Sequence, residues 1–204
     1  MPNELLGRVR TRSLNSAMVH DFATWFRGKV RIHPPAQPEQ IERTEAQLGF
    51  KQPELLKRIL SEVGNGGSGP GYGLIGVDGG HADFKGEHLA ELGREPGALE
   101  RKILPICNWG CGIYCCLECS NADSSVSNFN PKTHALAEEN LISVTATSAF
   151  GETNRIFERR AKPARPSIIT PTQLSLIRHK DSFTQFTSEW ADGVLLWDQI
   201  ESSL

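Results

Sequence analysis

Residues 63–80 form the stretch VGNGGSGPGYGLIGVDGG, which holds nine of the nineteen glycines of the chain. Within it, residues 71–76 spell G-x-G-x-x-G, the pattern of loops that bind dinucleotide phosphates. Such a loop follows a strand and opens a helix, because the helix N-terminus supplies amide donors to the pyrophosphate. Here the order is reversed, since helix-patterned residues 53–63 precede the glycines and strand-like residues 74–77 follow them. We therefore predict no phosphate site and no cofactor.

Other motifs of phosphate or nucleophile chemistry are also incomplete in this stretch. There is no G-K-[ST] sequence, and Pro70 replaces the last glycine of a G-x-S-x-G nucleophile elbow. Glycine instead permits positive φ angles and close approach of backbone to backbone. We predict a compact structural loop in which Tyr72 packs into the core. Its defining residues are Asn65, Gly66, Gly67, Gly69, Pro70, Tyr72 and Gly73.

Two helices are predicted before this loop. Pro38 opens the first and Gly49 ends it, while Pro53 opens the second, which has an apolar stripe and runs to Gly64. The carboxylates of these helices are expected to be exposed; they are Glu42, Glu45 and Glu54. An earlier helix is predicted over residues 16–28, where the apolar side chains fall on one face.

A β-hairpin is predicted after the loop, because two apolar runs at 103–107 and 113–117 flank a turn with two glycines. Residues 125–129 are a third candidate strand. Before the hairpin, residues 87–102 predict a helix interrupted near its proline. Near the C-terminus, Thr170–Gln173 and Ser182–Gln185 fit capping boxes, the second opening a helix that Gly193 closes. Residues 194–197 are expected to form a strand or turn.

Composition excludes several classes of protein. The chain has 204 residues, 38% of them apolar and 23% charged, with a net charge of −2, which is typical of a globular domain. A general nucleic-acid binder is usually basic. No signal peptide and no stretch of about 18 apolar residues is present, so we expect a cytoplasmic protein that does not bind membranes. The basic segment 154–167 is expected to be an exposed loop.

Cysteine and histidine residues offer little catalytic chemistry. Cys107, Cys111, Cys116 and Cys119 contain a single C-x-x-C pair, whereas structural zinc sites usually show two. Buried core cysteines are therefore favoured over a metal site. His81 and Asp83 form a conceivable base and orienting carboxylate, but no nucleophile lies near them in the sequence. We predict no catalytic residue and no metal ligand.

Three blocks of sequence resemble one known family. They are IERTEAQLGFKQPELLKRILSEVGNGGSGPGYGLIGV (41–77), ILPICNWGCGIYCCLEC (103–119) and SFTQFTSEWADGVLLW (182–197). The first resembles the signature of the SUKH superfamily, the SMI/KNR-type domain, and the others resemble its central strand pair and closing helix. This resemblance implies an α+β fold, with a mixed, curved sheet packed by helices in a single domain. We expect a helical extension at 1–35 and the domain at 36–200, with a divergent, mobile insertion at 132–169.

The resemblance also implies a role in protein binding. Bacterial members are widely immunity proteins of polymorphic toxin systems, often against nucleases, and fungal members regulate cell-wall synthesis through protein contacts. We hypothesise an immunity protein that neutralises a cognate toxin by stoichiometric association. A regulatory or scaffolding protein is the alternative, and an enzyme is the least favoured class. The candidate partner contacts are Trp109, Trp190, Asp78 and Asp83.

Overall fold

A computed structural model describes residues 2–14, 32–120, 124–129 and 176–201 of the protein. Among the described residues, five helices come first and three strands follow them; after residue 175 come a fourth strand and two more helices. The helices are α1 (Pro2–Leu14), α2 (Pro38–Leu48), α3 (Glu54–Arg58), α4 (Leu89–Gly93), α5 (Pro96–Glu100), α6 (Phe183–Ala191) and α7 (Leu196–Glu201). The strands are β1 (Ile103–Gly110), β2 (Ile113–Glu118), β3 (Val126–Phe129) and β4 (Leu176–Lys180).

The four strands form one sheet in the order β1-β2-β3-β4. Helices pack against this sheet, so the predicted α+β class is confirmed. All three pairs of neighbouring strands are antiparallel, which differs in detail from the mixed sheet that was expected. For the β1–β2 and β2–β3 pairs the reason is that short connections link these strands, and a short connection can join antiparallel strands only.

The predicted hairpin is confirmed as β1 and β2. Both strands are almost wholly buried, which explains why their sequences are continuous apolar runs rather than alternating ones. The turn between them places Cys111 at φ 52° and Gly112 at φ 79°, both in the left-handed region. The register shifts twice, between Asn108 and Gly110 and between Pro105 and Cys107; Pro105 has no N–H to donate to the ladder.

The predicted helix pair is also confirmed. Gly49 ends α2 at φ 72°, and its N–H donates to the Glu45 carbonyl at 2.9 Å. The chain of α3 continues through residues 59–63 as a π-helical turn that Gly64 closes, with a 3.1 Å bond from the Gly64 N–H to the Ile59 carbonyl. Leu56, Ile59 and Leu60 of this segment are fully buried in the core.

Glu45 corrects one expectation about these helices. Glu42 and Glu54 are exposed as expected, but Glu45 is buried. Its Oε1 accepts from the Gln52 N–H at 2.9 Å, and its Oε2 pairs with the Lys51 Nζ at 2.7 Å. The buried carboxylate therefore joins the end of α2 to the start of α3.

The C-terminal helices fit the sequence in part. Ser182 Oγ accepts from the Gln185 N–H at 3.1 Å, so the predicted cap of α6 is confirmed. Phe183, Phe186 and Trp190 are buried on one face of this helix. The prediction of a strand or turn over residues 194–197 is wrong, because α7 begins at Leu196.

Several other predictions fall outside the described residues. These concern the helix at 16–28, the capping box at 170–173, the basic segment at 154–167 and the insertion at 132–169. Residues 74–77 form a single antiparallel bridge, Leu74 to Cys107, rather than the strand expected there. The division into an extension at 1–35 and a domain at 36–200 stays a prediction.

Candidate protein-binding surface

The glycine-rich segment is bonded to itself and to β1. The Gly67 N–H donates to the Leu74 carbonyl at 2.8 Å, and the Leu74 N–H donates to the Ser68 carbonyl at 2.9 Å. The Tyr72 N–H donates to the Asn108 carbonyl of β1 at 3.0 Å. These amides are engaged within the protein, and the segment leads into a β-bridge, whereas a phosphate loop leads into a helix. The loop is built as a structural connection.

Two of its glycines are required by geometry. Gly66 has φ 80°, and a Cβ there would lie 2.6 Å from the Leu74 carbonyl oxygen. Gly73 has φ 91°, and a Cβ there would lie 2.9 Å from the backbone of Gly67. Any side chain at either position would push apart the two backbone segments that bond to each other. The remaining predicted loop residues, Gly69 and Pro70, are buried in the same turn.

Asn65 closes the base of this segment from the inside. Its side-chain Oδ1 accepts from the Val77 N–H at 2.9 Å, and its Nδ2 donates to the Val77 carbonyl at 3.3 Å. Its backbone carbonyl accepts from the His81 N–H at 2.9 Å. The residue is buried, and its side-chain amide bonds to the N–H and the carbonyl of Val77 as the backbone of a neighbouring strand would.

Tyr72 corrects another expectation. It was predicted to fill the core, but it is half-buried at the edge of the loop. Its ring packs edge-on against Phe84, with the centroids 4.5 Å apart and the planes at 77°. Phe84 itself is 64% exposed. The glycine loop and the following turn therefore present two aromatic rings at the surface.

Asp83 fixes the turn that carries Phe84. Its Oδ1 accepts from the Lys85 N–H at 2.7 Å and from the Glu87 N–H at 3.0 Å. Its Oδ2 accepts from the Tyr114 hydroxyl of β2 at 2.8 Å. Burial and the adjacent Asp83 carboxylate raise the pKa of Tyr114, so its hydroxyl remains a donor at neutral pH.

Carboxylates surround this turn. Burial raises the pKa of Glu87. The charge of Lys85 lowers it, and repulsion from Asp83, Glu95 and Glu91 raises it again. Each of these charges therefore lies within electrostatic reach of Glu87. Asp78, one of the predicted contacts, is exposed, with its Oδ2 3.4 Å from the Arg43 Nη1.

His81 and Asp83 do not form the base and carboxylate pair that their spacing suggests. The His81 Nε2 bonds to the Tyr72 carbonyl at 2.9 Å, whereas the Asp83 carboxylate bonds to the turn and to Tyr114. Burial lowers the pKa of His81, and its bond to Tyr72 opposes that shift only in part. Both side chains therefore serve to hold the loop and the turn in place.

The two predicted tryptophan contacts lie in the core. Trp109 is 1% exposed, and its Nε1 donates to the Cys115 Sγ at 2.9 Å. Trp190 is 2% exposed, and the Arg12 guanidinium lies 4.8 Å from its ring centre. Neither ring is presented to a partner in this structure. Of the four predicted contacts, Asp78 is exposed and Asp83 is half-buried.

The cysteines behave as core residues in the main. Cys107, Cys115 and Cys116 are buried, Cys119 is half-buried and Cys111 is exposed at the hairpin turn. Burial raises the pKa of Cys107 and Cys116 well above the usual range and that of Cys119 to about 12. Within the described parts of the chain, no three histidine, cysteine or acidic side chains converge as metal ligands would.

Sequence reasoning missed Phe84 as a surface residue. The signal was present, because Asp83-Phe84-Lys85-Gly86 has aspartate at the first position and glycine at the last position of a β-turn. Such turns are exposed, so an aromatic residue inside one faces solvent. Tyr114 carried no comparable signal, since its bond to Asp83 depends on the fold.

The fold and this surface define a small α+β domain whose glycine loop is structural. The chain matches the model of the SMI1 / KNR4 family (SUKH-1) over residues 35–148, more than half of its length, and it belongs to that family. No curated protein and no solved structure matches the chain. Over the described residues, every helix is too short or too polar to cross a membrane.

Proposed function

We propose that this chain is a cytoplasmic immunity protein, which binds a cognate toxin stoichiometrically and blocks its activity without catalysis of its own. The observation that carries this proposal is membership of the SUKH-1 family, whose members are commonly immunity proteins that bind partner proteins. The loop geometry supports it, because the glycine-loop amides and the side chains of His81 and Asp83 are engaged in holding the backbone.

Inhibition by association places physical demands on the surface. A stable interface buries about 1,200–2,000 Å² in total, with most of the energy in a few anchoring residues. Charges of opposite sign on the two partners raise the association rate. A nuclease toxin is basic where it binds nucleic acid, so an acidic face on this protein would suit it.

The test is direct inhibition of a neighbouring toxin. Immunity genes are expected next to their toxins, so the product of the adjacent gene is purified and assayed with increasing amounts of this protein. We expect complete inhibition at a one-to-one ratio and a stable complex in size-exclusion chromatography. An adjacent product that is not toxic, or whose activity is unchanged at equimolar protein, contradicts the proposal.

A regulatory or scaffolding function is the second candidate. It is favoured by residues 154–167, in which five basic residues stand against a single glutamate, a charge unlike that of the rest of the chain. A full-length protein that captures a host enzyme or a cell-wall factor, and a variant without residues 154–167 that loses it, would support this function. Capture that survives the deletion would count against it.

A further inference from the structure

We infer that Phe84 is the anchor through which this protein binds a basic partner protein, namely the toxin of the proposed function on which this inference rests. Large apolar side chains that are well exposed are few among the described residues: Leu14, Phe84, Leu99 and Leu195. Phe84 is the aromatic residue among them and is 64% exposed. Phenylalanine, like the other aromatic side chains, is enriched in the buried cores of protein interfaces.

The backbone around Phe84 is already held in one conformation. The Gly86 N–H donates to the Asp83 carbonyl at 3.0 Å, and the Asp83 N–H donates to the Glu87 carbonyl at 2.9 Å. The Asp83 carboxylate adds two bonds inside the turn and one to Tyr114 on β2. A side chain on such a turn loses little conformational entropy when a partner binds it.

The Phe84 ring is held in position by its contact with the ring of Tyr72. The edge-on contact at 4.5 Å orients Phe84 while leaving most of its surface in water. Tyr72 is in turn fixed by its N–H, which donates to the Asn108 carbonyl, and by its carbonyl, which accepts from the His81 Nε2. The glycine loop therefore supports the exposed Phe84 ring through Tyr72, whose backbone is bonded to β1 of the sheet.

The charge around this ring selects the kind of partner. Residues 78–100, which include this turn, contain six carboxylates and two cations, a net charge of −4, and the pairing of Arg43 with Asp78 reduces it to −3. Burial raises the pKa of Glu87, and the carboxylates of Asp83, Glu95 and Glu91 lie close enough to Glu87 to raise it further. A negative field of this kind attracts a basic protein surface and repels nucleic acid and anionic membranes. The complementary site is an apolar pocket rimmed by lysine or arginine.

The experiment compares variants against the purified toxin from the adjacent gene. We expect Phe84→Ala to weaken binding by about 30-fold or more, as removal of a dominant anchor does. Leu14→Ala, which removes an equally exposed apolar side chain from the end of α1, is the matched control and should change affinity by less than threefold. Both substitutions are at exposed positions, so thermal unfolding should match the wild type.

A second pair of variants tests the charge. Glu91→Gln and Glu95→Gln together should slow association about fivefold at low salt, leave dissociation nearly unchanged and flatten the salt dependence. If the wild type inhibits the toxin and Phe84→Ala binds equally well, the anchor is wrong and the proposed function stands. If the charge variants associate as fast as the wild type, the partner is not selected by charge. A wild type that fails to bind overturns both proposals.

Discussion

The buried side chain of Asn65 fixes the place where the chain turns back on itself. It is 2% exposed, and burying an amide without partners would cost about 1–3 kcal/mol. Its side chain bonds both backbone groups of Val77, twelve residues away. The sequence marks Asn65 as part of the loop, but its pairing with Val77 becomes visible only once the backbone returns on itself.

The glycines of the loop can be tested individually. Gly66→Ala should destabilise the protein by several kcal/mol, because it adds a clash with the Leu74 carbonyl to the strain of a left-handed φ. Gly86→Ala is the matched control, with φ 81° and no atom within 4 Å of a Cβ. It should cost about 1 kcal/mol, the strain alone. Urea unfolding measures the stability of both variants. Equal losses of stability would show that the atoms around position 66 move enough to relieve the clash.

At the scale of elements, α1 is attached to α6 in two ways. Arg8 pairs with Asp192, and its second nitrogen donates to Ser188 at 3.1 Å. Val9, one residue further along α1, is 1% exposed and belongs to the core. The ion pair is half exposed, so solvent and salt weaken it, whereas the apolar contact is dry.

This difference predicts unequal costs for neighbouring substitutions. Val9→Ala should lower the free energy of unfolding by about 2 kcal/mol, through lost burial and the space left behind. Arg8→Ala should lower it by less than about 1 kcal/mol, and the loss should shrink further at high salt. Chemical denaturation of both variants at two salt concentrations is the measurement. If Arg8→Ala lowers the free energy of unfolding more than Val9→Ala does, the ion pair and not the apolar contact holds α1 in place.

The junction of β4 and α6 contains a histidine that resists protonation. Burial, aided by the charge of Lys180 and opposed by Glu189, lowers the pKa of His179 to about 4. Its ring packs edge-on against Phe186 at 5.9 Å. The neutral imidazole is therefore the form that the folded state accepts.

A pH dependence of stability follows from this shift. Between about pH 6.5 and 4 the unfolded chain protonates His179 and the folded chain does not, so stability falls as pH falls through that range. His179→Phe should remove this part of the loss, giving a shallower decline between pH 7 and 5 in urea unfolding. The imidazole should titrate near pH 4 by NMR. Parallel stability curves, or a midpoint near 6.5, would contradict the assignment.

Elements with local signals were predictable from the sequence, and those that depend on distant partners were not. The hairpin followed from its apolar runs, and α2 from Pro38 and Gly49. In contrast, β4 was missed, because its five residues LIRHK are two apolar residues followed by Arg, His and Lys and show no alternation. Burial of Glu45 was also missed, since its partner Gln52 belongs to the following connection.

For the candidate site, the sequence identified the loop but assigned the wrong rings to the surface. The tryptophans are the largest side chains and are buried, whereas Phe84 is exposed by its position in a turn. Size alone favours the core, and only the backbone path decides which aromatic residue faces water. Of the predicted acidic contacts, Asp83 is the first residue of that turn and holds it in place, whereas Asp78 pairs with Arg43 of α2.

At the scale of the whole molecule, buried thiols report on unfolding. Three of the five cysteines are wholly within the core around β1 and β2, and Cys111 is exposed. In the native protein, a thiol reagent should label Cys111 at once, whereas Cys107, Cys115 and Cys116 should react only as the molecule unfolds. Cys111→Ser is the control and should abolish the rapid phase. Fast labelling of a core cysteine would reveal a local opening of the sheet.

The wide separation of β3 and β4 along the chain has a consequence for how the molecule assembles. The first three strands are near neighbours in sequence, but β4 joins them only after a connection from residue 130 to residue 175. Bringing together strands that lie so far apart in sequence carries an entropic cost that precedes their contacts, so we expect the last strand to dock late. Because that cost grows only slowly with length, evolution can extend or trim this connection at little thermodynamic expense.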